Sequence, residues 1–184
     1  MSAETPLLEG RRFEDVAVGE RLPVVELPLT VYRLVMAAGS NRDFNSIHHN
    51  SEYARATGAE EMYANTSFLM SAWERSVRDW MGLAGRIRGI RGFRMRSFNY
   101  AGDTLRVVAE VAATRLEGDV GVVEIAIRCE NRSGVSVGPG VVEVELPRRT
   151  DDGATADTTT ADTTAADTTA ADTTAADTTG QETP

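Results

Sequence analysis

Asp43, Asn45 and His48 fall within one six-residue stretch, Asp43-Phe44-Asn45-Ser46-Ile47-His48. A carboxylate and an imidazole this close on a loop can divide a proton transfer, one taking a proton while the other holds or returns it. The amide of Asn45 can fix both side chains. Imidazole titrates nearest neutral pH, and the two histidines of the chain, His48 and His49, are both here. The composition is that of an acid/base site. The same residues could equally form a turn cap beside a surface histidine, and local chemistry alone leaves both readings open.

The flanking pattern places this loop between two short helices. Glu20 to Leu29 reads as a first strand, limited by Gly19, Pro23 and Pro28. Thr30 then caps a helix through Val31, Leu34, Val35 and Ala38 that ends at Gly39. After the loop, Asn50 or Ser51 caps a second helix through Tyr53, Ala54 and Ala56, stopped by Gly58. The longest helix is expected from about Thr66 to Met81, with Phe68, Leu69, Ala72, Trp73, Val77, Trp80 and Met81 on one face. Its other face holds the i,i+4 pairs Glu74–Arg78 and Arg75–Asp79.

Strands follow: Ile90 to Tyr100, Thr104 to Leu116, Val120 to Glu130 and Val135 to Leu146. Turns at Gly102-Asp103, Glu117-Gly118-Asp119 and Asn131-Arg132-Ser133-Gly134 make the last three an antiparallel meander. One long helix followed by a long antiparallel sheet predicts an α+β layer pair, the sheet wrapped around the Phe68/Trp73/Trp80 face.

From Ala156 to Gly180 a five-residue unit of the form ADTTA repeats without a large apolar residue. Such a segment buries too little to offset its ordering entropy, so 150–184 is expected to be a disordered low-complexity tail. Of the 28 acids, 8 lie there, leaving 20 against 19 Arg, since the chain has no Lys. The net charge of −9 therefore belongs to the tail, and the remainder is near neutral, which does not suggest a nucleic-acid partner. Residues 1–12 read as an N-terminal extension and 13–149 as one domain. The opening residues contain no apolar leader core, no run reaches membrane-spanning length, and the lone Cys129 sits in an alternating apolar strand. A cytoplasmic location is the expectation.

The segment from Phe13 to Leu146 resembles the MaoC-like acyl dehydratases, the (R)-specific enoyl-CoA hydratases of the hot-dog fold. Phe13-Glu14-Asp15-Val16 with Gly19 resembles the family's opening. Its hydratase motif, approximately D-F-N-P-[IL]-H-x-D with an Ala four residues on, reads here Asp43-Phe44-Asn45-Ser46-Ile47-His48-His49-Asn50 with Ala54. Ala101-Gly102-Asp103-Thr104-Leu105 is similar to its later turn. Two positions depart: Ser46 replaces the usual Pro, which loosens the loop, and Asn50 replaces an Asp, a change that a helix-capping role tolerates. Asn65-Thr66 stands where homodimeric hydratases carry His-Gly, and in this the chain is similar to MaoC-like subunits that work with a second hot-dog protein.

The resemblance implies a single hot-dog domain that adds water syn across a trans-2-enoyl thioester to give an (R)-3-hydroxyacyl product. Asp43 and His48 would hold the water, with the choice of base left open. Asn45 would brace the loop, and the backbone N–H of Thr66 would stabilise the enolate-like oxygen. Coenzyme A is then part of the substrate, and no separate cofactor is expected. Arg94 and Arg96, in a run that also holds Arg86, Arg88 and Arg91, are candidates for the coenzyme A phosphates. The other reading of that run is pairing with Glu on neighbouring strands. No metal site is expected from two adjacent histidines without a further soft ligand. The expected partner is a second hot-dog subunit, as homodimer or heteromer, and the acyl group could be bulky or steroid-like. A subunit inactive alone and a hot-dog thioesterase are the alternative readings.

Overall fold

The computed structural model describes residues 10–149. The expected tail and residues 1–9 of the expected N-terminal extension lie outside the described residues. Helices α1 (Val31–Ser40), α2 (Ser51–Ala56) and α3 (Thr66–Met81) occur where the capping residues place them. Thr30 Oγ1 accepts from Arg33 N, Asn50 Oδ1 from Tyr53 N, and Asn65 Oδ1 from Phe68 N, so each helix begins on a side-chain cap.

Strands β1 (Val25–Pro28), β2 (Arg86–Arg91), β3 (Thr104–Glu117), β4 (Val120–Asn131) and β5 (Gly134–Pro147) form one antiparallel sheet in the order β1-β3-β4-β5-β2. This is the hot-dog arrangement, with the sheet curled over the apolar face of α3. Two strand expectations are corrected. The first strand is shorter than Glu20–Leu29, because Pro23 interrupts it and only an isolated bridge, Arg21 to Glu110, precedes the ladder. The strand expected over Ile90–Tyr100 instead spans Arg86–Arg91, since Gly92 turns the chain at φ +71°. Residues 92–100 continue along the sheet margin, held by isolated bridges from Met95 to Val137 and from Tyr100 to Tyr63.

The core lies between α3 and the sheet. Leu69, Ala72, Trp73, Val77 and Met81 of α3 meet Leu105, Val107, Ile125, Ile127, Val142 and Val144, all buried. Trp73 is fully buried, and its Nε1–H points at the Cys129 sulfur, 3.2 Å away. The indole rests on the bare backbone of β5, where a Cβ on Gly140 would come within 2.8 Å of the ring. Burial pushes the Cys129 thiol up to about 12, which makes it an inert core group. On the outer face, Glu74–Arg78 and Arg75–Asp79 pair across one turn, as their spacing predicts.

Residues before β1 are tied to the far end of α3 by a small polar cluster. Glu20 accepts from the Trp80 indole at 2.9 Å and pairs with Arg11, whose guanidinium lies 4.8 Å over the Trp80 ring. Burial would raise the Glu20 carboxyl, but the hydrogen bonds from Trp80 and Arg11 outweigh it and hold the group below its ordinary range. A carboxylate depressed in the folded state adds stability above its unfolded pKa, and that stability is lost as pH falls through the folded value. Glu20→Gln is expected to lower unfolding free energy at pH 7 by roughly 1 kcal/mol. In urea melts across pH, the gap from wild type should close below about pH 4; a gap independent of pH would contradict the charge argument.

Candidate active site

The acid/base loop begins in the way α1 ends. Asn41 closes the helix, and Arg42 adopts the left-handed region at φ +54°. The Arg42 N–H then donates to Gly39 O at 3.1 Å and the Asp43 N–H to Ala38 O at 2.9 Å. These are the two bonds of a Schellman closure. Asp43 is therefore launched from a backbone fixed to the last turn of α1. Arg42 is the one non-glycine residue with positive φ among the described residues, and it occupies the place that glycine normally takes.

His48 is held by a different route. Asn45 caps a single 3-10 turn, Ser46–His48, its side-chain oxygen accepting from Ile47 N at 3.3 Å while its own N–H reaches Asp43 Oδ1 at 3.4 Å. That turn tucks the His48 imidazole into the protein, where it is buried. Nδ1 lies 2.8 Å from the Tyr63 carbonyl. A carbonyl only accepts, so Nδ1 carries a hydrogen, and a neutral ring would then present Nε2 as its acceptor end. Nε2 faces Asp43 Oδ2 at 3.4 Å. The Tyr63 N–H in turn bonds Ile47 O at 3.3 Å, and the Tyr63 ring stands edge-on to the imidazole at 5.2 Å.

Tyr63 itself stacks on Phe98, 4.3 Å between centroids, and burial together with nearby Tyr100 raises its phenol above the ordinary value. Three residues beyond Tyr63, Thr66 opens α3. The Phe68 N–H of its first turn is taken by the Asn65 cap, while those of Thr66 and Ser67 have no partner among the described residues. The Thr66 hydroxyl lies 3.8 Å from the Met95 sulfur. Asp43, His48 and the start of α3 thus share one corner of the molecule. His49 points elsewhere, 3.3 Å from the Phe44 carbonyl.

The arginine run divides. Arg86 pairs with Glu145 at 2.6 Å, Arg88 with Glu117 at 2.6 Å, and Arg91 with Glu124 and Glu143 at 3.3 and 3.5 Å. For these three the cross-strand pairing reading holds. Arg96 donates to the Gly138 carbonyl, and Arg94 is exposed without a carboxylate partner among the described residues. Among the described residues no cluster of three or more metal-ligating side chains occurs. Two contributors escaped sequence reasoning: the Tyr63 carbonyl, because a main-chain acceptor leaves no residue-type signal, and Arg42, whose backbone role is normally marked by glycine.

No protein-family model matches the chain. It is, however, 33% identical over 96 residues, 52% of this chain and 74% of the relative, to the 3-oxo-4,17-pregnadiene-20-carboxyl-CoA hydratase beta subunit of Mycobacterium tuberculosis. The chain belongs to the MaoC-like hydratases. Among solved structures, this MaoC-like hydratase is similar to a chain of the ChsH1-ChsH2 complex of M. tuberculosis. That match has 29% identity and a TM-score of 0.65, covering 71% of this chain and 98% of that one. The R-hydratase PhaJ1 of Pseudomonas aeruginosa matches at 22% identity and TM-score 0.67, over 76% of this chain and 88% of that one. The (R)-hydratase of A. caviae matches at 20% and 0.64, over 73% and 99%. The last two likenesses bear on fold alone, and they agree on the hot-dog. As a MaoC-like hydratase the protein is a hydro-lyase.

The Schellman closure carries a testable cost. Arg42→Gly should stabilise the fold by about 0.5–1 kcal/mol, the relief of a left-handed L-residue offset by the extra unfolded entropy of glycine. A denaturant midpoint moved upward would agree; a lower midpoint would show that the Arg42 side chain is itself stabilising.

Proposed function

We propose that the protein hydrates a trans-2-enoyl-CoA thioester, with Asp43 and His48 sharing the water. One observation carries this reading. The Tyr63 carbonyl occupies Nδ1, so His48 Nε2 and Asp43 Oδ2, 3.4 Å apart, are two acceptors facing the same point. A water donating one O–H to each satisfies both. When its oxygen bonds to Cβ, one of the pair takes the proton and the thioester carbonyl gains enolate character. The proton held by the pair then passes to Cα from the same face, so addition is syn and H and OH both derive from the one water. The expected product is the (R)-3-hydroxyacyl thioester.

The Thr66 backbone N–H, at the positive end of a 16-residue helix, is the proposed donor to the developing oxyanion. Asn45 serves the loop by capping, as its hydrogen bonds support. Arg94 and Arg96 are proposed contacts for the coenzyme A phosphates, and no separate cofactor is invoked. The name of the M. tuberculosis relative supports a bulky, steroid-like acyl group, and the ChsH1-ChsH2 complex supports pairing with a second hot-dog subunit. Exposed Met70, Met95 and Phe98, close to Thr66 and Tyr63, give such a subunit an apolar surface to cover. No helix among the described residues is long and apolar enough to cross a membrane. We place the enzyme in a reducing cytoplasm, which suits the free Cys129 thiol.

Asp43→Asn and His48→Ala are each expected to reduce turnover by at least about a hundredfold, the scale of a lost general acid or base. Loss of enoyl absorbance on crotonyl-CoA and on a bulky enoyl-CoA measures this, with circular dichroism confirming the fold. Retained rates in both variants would end the assignment, and release of free thiol in place of absorbance loss would identify a thioesterase.

A further inference from the structure

We propose that Asn65 is a positioning residue that fastens the arm carrying Asp43 to the oxyanion end of α3, acting through Asn41. The inference rests on the hydratase reading of the site. Asn65 is only 3% exposed, and its Oδ1 accepts two hydrogen bonds. One, from Phe68 N at 2.8 Å, caps α3; the other, from Asn41 Nδ2 at 3.4 Å, crosses to the end of α1. Asn41 stands two residues before Asp43, at the start of the Schellman closure. No other side-chain hydrogen bond among the described residues joins residues 38–45 to α3.

His48 does not need this bridge, because main-chain and ring contacts to Tyr63 already tie it to the segment leading into α3. Asp43 is linked to that segment through His48, 3.4 Å from its Oδ2, while its backbone is fixed to the end of α1. Its distance from the Thr66 N–H depends on how the end of α1 sits against the start of α3, and hydration needs both groups on one substrate at once. The residue type fits the task. Serine would cap α3 equally well but is too short to reach Asn41. Aspartate would reach, yet would set a negative charge beside the developing oxyanion. Asparagine gives reach without charge, and it does so while Nδ2 stays buried with no hydrogen-bond partner among the described residues. The Phe68 N–H needs an acceptor, so the amide oxygen faces it, and the same orientation serves both the cap and the bridge.

Three variants separate a positioning role from a purely structural one. Asn65→Ser keeps the cap and removes the reach; Asn41→Ala removes the donor and leaves the cap untouched; the third combines them. Each single variant should lower kcat about tenfold, the scale of a modest misplacement, with KM and Tm near wild type. The double variant should be no slower than the slower single, since one bond is lost in all three. In parallel, Asn41→Ala should shift the Thr66 backbone amide resonance in a 1H–15N spectrum, a readout that needs no turnover. Unchanged kcat in either single variant, multiplicative losses in the double, or an unmoved Thr66 resonance would overturn the proposal. A wild type that hydrates no enoyl thioester would fault the hydratase reading instead, and the Thr66 resonance would then decide the bridge.

Discussion

A buried imidazole N–H must find an acceptor, and in this protein the acceptor is the Tyr63 carbonyl, 2.8 Å from His48 Nδ1. Much else depends on that bond. It sets the tautomer, turns Nε2 toward Asp43, and ties the Asp43–His48 loop to the residues that lead directly into α3. Because the acceptor is main chain, it is insensitive to the identity of residue 63. The Tyr63 ring serves a separate purpose, closing one side of the imidazole and joining it to Phe98.

The loop can be this specific because what lies behind it is rigid. The indole of Trp73 sits on backbone at Gly138 and Gly140, where no side chain could intervene, and its N–H is spent on a buried sulfur. Close packing of this kind fixes the axis of α3, and with it the direction of the N–H groups at its first turn. The site is then assembled from ends: the end of α1, a 3-10 turn and the beginning of α3. Each end is closed by named hydrogen bonds, so Asp43, His48 and the first turn of α3 sit on separately anchored pieces of chain that meet at one corner.

Much of this was legible in the sequence because the signals were local. Thr30 and Asn50 announce their helices by capping chemistry, and the apolar spacing from Phe68 to Met81 matches α3 to its boundaries. The alternating apolar strand around Cys129 is β4, whose Val123, Ile125, Ile127 and Cys129 are all buried. The approach of Asp43 to His48 followed from the motif. What failed was strand extent around prolines and glycines: Pro23 and Gly92 end or delay ladders across which the alternating pattern continues. The Asn41–Asn65 bridge and the Tyr63 acceptor were invisible for a different reason. Both are long-range pairings across the α1–α3 corner, and neither leaves a periodic or compositional trace.

Syn hydration by Asp43 and His48 requires one shared water to deliver oxygen and hydrogen to the same face. Hydration of crotonyl-CoA in D2O, with the relative configuration at C2 and C3 read from the proton coupling in the product, tests this directly. A single (3R) diastereomer with deuterium and hydroxyl added to the same face is the expected result. An anti product, a (3S) alcohol or a mixture at C2 would show that Asp43 and His48 do not act together on one water.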